Sequence, residues 1–120
     1  MKKLIILTAL FALVVAATAD ARIKVKGRGA AMNFDPASIP EQFQASYELM
    51  SRKCVKCHTM ERVVIAIQTG RAPITSQPFD RASIMAYGIK MMRKPNSDMS
   101  KKEIKEIVLL MNYLVDENAK

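Results

Sequence analysis

Apolar positions fall along this chain in successive stretches of different period. Residues 4–17 are apolar apart from Thr8, with no period at all. Residues 22–29 alternate apolar and basic, the two-residue period of a short exposed strand or arm. Gly27 and Gly29 end that stretch, and the chain to Pro36 reads as loop. A helix is expected from near Pro40, where Ser38 and Glu41 have capping-box spacing and the proline fits a first turn. Phe43, Tyr47, Met50 and Cys54 then recur at i, i+4, i+7 and i+11, one stripe. The apolar run Val63 to Ile67 continues as helix for a turn or two, and residues 68–78 form a loop rich in turn residues.

Asp80 is placed to cap a third helix over roughly 81–93, with Ile84, Met85, Gly88, Met91 and Met92 along or beside one face. Lys94 to Asp98 breaks it. The last helix has the fullest local signal. Ser100 and Glu103 form a capping box, and Met99 and Ile104 stand at the two positions of a hydrophobic staple. Ile104, Ile107, Val108, Met111, Leu114 and Val115 then make an amphipathic stripe. The pattern predicts an all-α domain of three to four helices with a short N-terminal strand or arm.

The first stretch reads as a targeting segment. Lys2 and Lys3 precede the apolar run, and Ala17-Thr18-Ala19 and Ala19-Asp20-Ala21 are two small-x-small cleavage sites. Residues 1–21 are expected to be a cleaved signal peptide, leaving 22–120 as one domain. The run is short for a membrane anchor, and no second apolar segment follows, so no membrane span is expected after cleavage. Cleavage removes Lys2, Lys3 and Asp20, which leaves 17 basic and 10 acidic residues and a net charge of +7 over 99 residues. That charge favours acidic partners. A nucleic-acid role is disfavoured, because the chain reads as exported and has no recognised nucleic-acid motif.

The chemistry gathers in five residues. Both cysteines and the single histidine of the chain lie in Cys54-Val55-Lys56-Cys57-His58. This is the C-x-x-C-H spacing of c-type haem attachment. Two thiols about one helical turn apart can add to the two vinyl groups of one porphyrin, and the following imidazole can ligate the iron. A structural zinc site wants four Cys or His ligands, and the chain has three. A redox dithiol is expected near a βαβ pattern, which is missing here. The motif therefore predicts one covalently bound haem c, held by Cys54 and Cys57, with His58 as proximal ligand. The other N–H of His58 needs an acceptor, for which a carbonyl near Pro73 is expected.

With one histidine, bis-histidine ligation within the chain is impossible. A protein sixth ligand is then expected among the nine methionines. It should follow the long loop, so that the ring is gripped from both sides; Met91, Met92 and Met99 are the candidates. Met99 already has a role as staple. Adjacent Met91 and Met92 point about 100° apart on a helix, so both cannot face one iron. Met50, Met85 and Met111 are expected to be core packing.

Over most of residues 40–116 the chain resembles small monohaem cytochromes c of the bacterial class I type. The resemblance rests on the helix leading into Cys54-Val55-Lys56-Cys57-His58, on Lys90-Met91-Met92-Arg93-Lys94-Pro95, and on Met99-Ser100 through Leu114. It implies a cytochrome c-like fold whose first and last helices cross, with Ser46 and Met50 in the contact positions. It also implies Met91 as distal ligand, with Met92 and Met99 as alternatives. More narrowly, the chain is similar to periplasmic monohaem cytochromes of metal-reducing bacteria. The function expected is a monomeric periplasmic one-electron carrier rather than an enzyme, linked to extracellular electron exchange, with acidic redox proteins as partners. Two alternatives remain: a haem sensor or peroxidase with an open distal site, and a haem subunit of a larger redox complex.

Overall fold

The computed structural model describes residues 23–120. The expected signal peptide, residues 1–21, lies outside the described residues. Four α-helices carry just over half of the described residues: α1 (Glu41–Lys53), α2 (Glu61–Thr69), α3 (Arg81–Met92) and α4 (Lys101–Asn118). Among the described residues strand is confined to β1 (Val25–Lys26) and β2 (Asn33–Phe34), a two-residue antiparallel pair with Val25 opposite Phe34. The expectation of a mostly helical domain with a short N-terminal strand is met. No described helix is long and apolar enough to cross a membrane.

The N-terminal segment departs from the sequence reading in one respect. The stretch expected to be loop up to Pro36 contains β2, and it doubles back because Gly27 and Gly29 adopt positive φ. A Cβ at Gly27 would stand 2.2 Å from the Ala31 carbonyl oxygen, so only glycine fits. Phe34 is thereby driven into the core, and the Tyr47 hydroxyl of α1 donates to its carbonyl at 3.0 Å.

The start of α1 also differs. The Ser38–Glu41 capping box does not form; Pro40 occupies the cap position, with no side-chain cap. Asp35 accounts for the difference. It caps a short 3-10 turn at Pro36–Ser38, and its carbonyl accepts the Ser38 hydroxyl at 2.7 Å. Gln44 instead reaches back to the Pro36 and Ile39 carbonyls, at 2.8 and 2.7 Å. The stripe itself behaves as expected, with Tyr47 and Met50 buried and Phe43 and Cys54 packed at the core's edge.

α4 is the central element. Its capping box is complete: Ser100 Oγ accepts from the Glu103 N–H at 3.1 Å, and Glu103 accepts from the Ser100 N–H at 2.8 Å. Ile104, Ile107, Val108, Leu110, Met111 and Leu114 are buried on it. Each such side chain stabilises the fold by roughly 1.5–3 kcal/mol relative to exposure. α1 runs antiparallel across α4: Phe43 stacks on Tyr113 with ring centroids 5.0 Å apart at one end, and Lys53 lies near Glu103 at the other. α3 packs against α4 through Ile84 and Gly88, and Arg81 pairs with Asp116 at its start. α2 closes the remaining side. It ends at left-handed Gly70, and Asn118 of α4 donates to the Ile67 carbonyl at 3.1 Å.

The long loop is ordered by its own backbone. Ala72 and Gln77 bond at 2.9 Å, Arg71 bridges to Pro78, and Phe79 N–H closes onto the Gly70 carbonyl at 2.8 Å. This folds residues 71–78 into a hairpin-like flap and buries Phe79, which has no periodic signal in the sequence.

Candidate haem-binding site

α1 ends at Cys54, whose N–H donates to the Met50 carbonyl, and the chain tightens there into a 3-10 turn over Cys54–Lys56. In that geometry side chains three apart stack on one side. Cys54 and Cys57 therefore face the same way, and both line one large cavity. Neither forms a disulfide. Cys54 is half-buried and Cys57 exposed, and burial pushes the Cys54 thiol up to about 11.

His58 follows in the bend that separates this turn from α2, so the helix does not run on continuously as the sequence suggested. Met60 stands at the cap position before α2 and is buried in the core. The His58 Nδ1 lies 3.0 Å from the Thr59 carbonyl oxygen. A carbonyl can only accept, so this contact is made by an Nδ1–H, and Nε2 is the nitrogen left for a metal. The acceptor beside Nδ1 is thus the next residue in the chain rather than the expected carbonyl near Pro73. Pro73 does line the same cavity.

The cavity has a volume of about 510 Å³, inside the roughly 300–1,000 Å³ range of ligand sites. Val63 and Ala66 of α2, Pro73 and Ile74 of the flap, and Ile104, Ile107 and Met111 of α4 form its apolar lining. Lys53, Lys56, Arg62, Lys90 and Lys94 add positive charge. Among the described residues no three His, Cys, Asp or Glu side chains are grouped to hold a bare metal ion. Cys54, Cys57 and His58 all line this cavity. The free thiols, the imidazole and the apolar lining together could hold a cofactor attached through sulfur.

The methionine candidates separate. Met91 and Met99 both line the cavity, and Met92 does not; it packs against the core instead. The split follows from the 100° between neighbours on a helix. Met99 is also packed against the core, as a staple requires. Met50 and Met111 are buried as expected, and Met111 lines the cavity as well. Met85 is a correction: it is 43% exposed, because α3 meets α4 only along the Ile84–Gly88 edge.

Two cavity residues escaped the sequence reading. Phe79 and Tyr87 pack with ring centroids 5.2 Å apart, and the Tyr87 hydroxyl is buried without a hydrogen-bond partner. Tyr87 stands four residues before Met91, so helical spacing alone places the two on one face. Phe79 lies at the end of an aperiodic loop and gave no such signal.

No protein-family profile, curated protein or solved structure matches the chain.

Proposed function

We propose that this chain is a monohaem c-type cytochrome with a cytochrome c-like fold, working as a one-electron carrier in the periplasm. The observation that carries the reading is the shared cavity: Cys54, Cys57 and His58 line it together with Met91 and Met99. Cys54 and Cys57 would hold the haem as thioethers, and His58 would ligate its iron. Met91 would supply the second ligand, with Met99 the other methionine that lines the cavity. When bound, haem c supplies a reversible ferric–ferrous couple, whose potential thioether ligation raises. Val63, Ile104 and Ile107 give the site a buried apolar wall. The periplasmic assignment rests on the sequence of residues 1–21.

The net positive charge steers acidic redox proteins to this face, so electron exchange with such a partner slows as salt rises. Exchange rates independent of ionic strength would remove that part of the reading. The decisive experiment is an absorption spectrum of the protein made in a host that attaches haem c. A weak far-red ferric band reports iron–thioether ligation. Wild type shows it, Met92→Ala and Met99→Ala keep it, and Met91→Ala loses it. A wild-type spectrum without that band, together with ready binding of carbon monoxide, would instead indicate an open distal site and a sensing or peroxidatic protein.

A further inference from the structure

Lys53 and Asp98 join the two segments that carry the candidate iron ligands. Lys53 is the last residue of α1, directly before Cys54. Its ammonium donates to the Asp98 carboxylate at 2.8 Å and to the Asp98 backbone carbonyl at 2.5 Å. Lys56 reaches the same carboxylate oxygen at 3.4 Å. The Lys53 side chain is only 16% exposed, although lysine is among the residues least often buried. Its position at the end of α1 also complements the helix dipole.

Asp98 adopts φ 52, a left-handed conformation that a short polar side chain tolerates better than most. Behind it, Ser97 is buried and its hydroxyl donates to the Met92 carbonyl at 2.6 Å. A line of polar contacts thus runs from the residue before Cys54, through Asp98 and Ser97, to the last turn of α3 beside Met91. Met99 directly follows Asp98.

We infer that Lys53 and Asp98 are a positioning pair: a clamp that fixes the 91–99 segment against the cysteine-bearing end of α1 and so holds a thioether in the cavity. The inference rests on the haem reading above. Neither residue contacts the iron; both act through the methionine. Two acceptors on one residue also immobilise the lysine, which an ordinary exposed pair leaves free.

The test uses haem-loaded wild type, Asp98→Asn, Lys53→Gln and the double variant. Imidazole added to the ferric protein competes with methionine for iron, and the titration is followed by loss of the far-red band. Amide hydrogen exchange over residues 94–99 and the urea midpoint are measured beside it. Each single variant is expected to raise the apparent imidazole affinity roughly two- to fivefold, the range a surface ion pair supplies, and to speed exchange over 94–99. The double variant should be no worse than either single one, because the clamp is already broken. Unchanged imidazole affinity in both single variants overturns the clamp, whether or not the urea midpoint falls. If wild type has no far-red band, methionine ligation itself fails, and hydrogen exchange decides alone. Faster exchange in both variants then supports the clamp, and unchanged exchange overturns it.

Discussion

Gly88 of α3 lies so close to Ile104 of α4 that a Cβ on the glycine would stand 3.1 Å from the isoleucine Cγ2, and 3.2 Å from Val108 Cγ2. Both neighbours are β-branched and turn little about χ1. Two effects oppose each other in Gly88→Ala. Helix propensity gains up to about 1 kcal/mol, and overpacking a tight contact costs about 1–3 kcal/mol. Packing should win, with a net loss of about 1 kcal/mol by urea unfolding, and Gly88→Val should lose several times more. A stabilised Gly88→Ala would show that α3 and α4 are less closely seated than this.

The start of α4 can be tested in the same way. Ser100 satisfies the Glu103 N–H, and Glu103 satisfies the Ser100 N–H in return. Ser100→Ala should cost about 1 kcal/mol. Ser38→Ala should cost less, since its hydroxyl caps no α-helix and bonds only the Asp35 carbonyl. Equal losses in the two variants would contradict the cap assignment at Pro40.

That contrast shows where the sequence was readable. The α4 cap involves two residues three apart with nothing competing for them, so spacing alone identifies it. Ser38 and Glu41 have the same spacing, but Asp35 and Pro36 take the serine into a separate turn. The β1–β2 pair depends on Gly27 and Gly29 turning the chain back, a contact no periodicity encodes. At the site, Cys54-Val55-Lys56-Cys57-His58 is legible because haem chemistry dictates the spacing. The cavity is less so: Met91 and Met92 have identical side chains and differ only in helix rotation. Ile74 and Phe79 reach the cavity through a flap whose order comes from backbone hydrogen bonds.

Two aspartates set the expected acid limb. Lys26 donates to Asp35 and Lys53 to Asp98, and each contact holds its carboxyl below the usual aspartate range; burial opposes this at both. A depressed folded-state value means fewer bound protons in the folded state. The stabilisation is therefore complete above the unfolded aspartate value of about 4 and is lost as pH falls through the lower folded values. Wild type should lose this contribution to stability as pH falls below ~4. Asp35→Asn and Asp98→Asn should be less stable at pH 7 and flatter on the acid side. Parallel acid limbs in all three proteins would show that these ion pairs do not govern acid unfolding.

Tyr87 gives a prediction of opposite sign. Its hydroxyl is buried without a partner, and an unsatisfied buried group costs about 1–3 kcal/mol. Removing it in Tyr87→Phe should leave stability unchanged or raise it by up to about 1 kcal/mol, as read by thermal unfolding of the haem-free protein. A loss of 1 kcal/mol or more there would mean that the oxygen does make a hydrogen bond.

The two thiols should be separable by where they sit. Cys54 is half-buried at the end of α1, and Cys57 is exposed at the end of the 3-10 turn. In a host that attaches haem c, wild type should retain haem through denaturing electrophoresis and gain the mass of one haem. Cys54→Ser and Cys57→Ser should each keep one thioether at most, with lower yield. The double variant should carry no covalent haem, and any haem it binds should be removed by acid–solvent extraction. His58→Ala keeps both cysteines and can still carry covalent haem, but it should lose the proximal ligand and with it the wild-type ferric spectrum. A double cysteine variant that still carried covalent haem, or a wild type with both thiols open to alkylation after production in that host, would sink the haem c assignment.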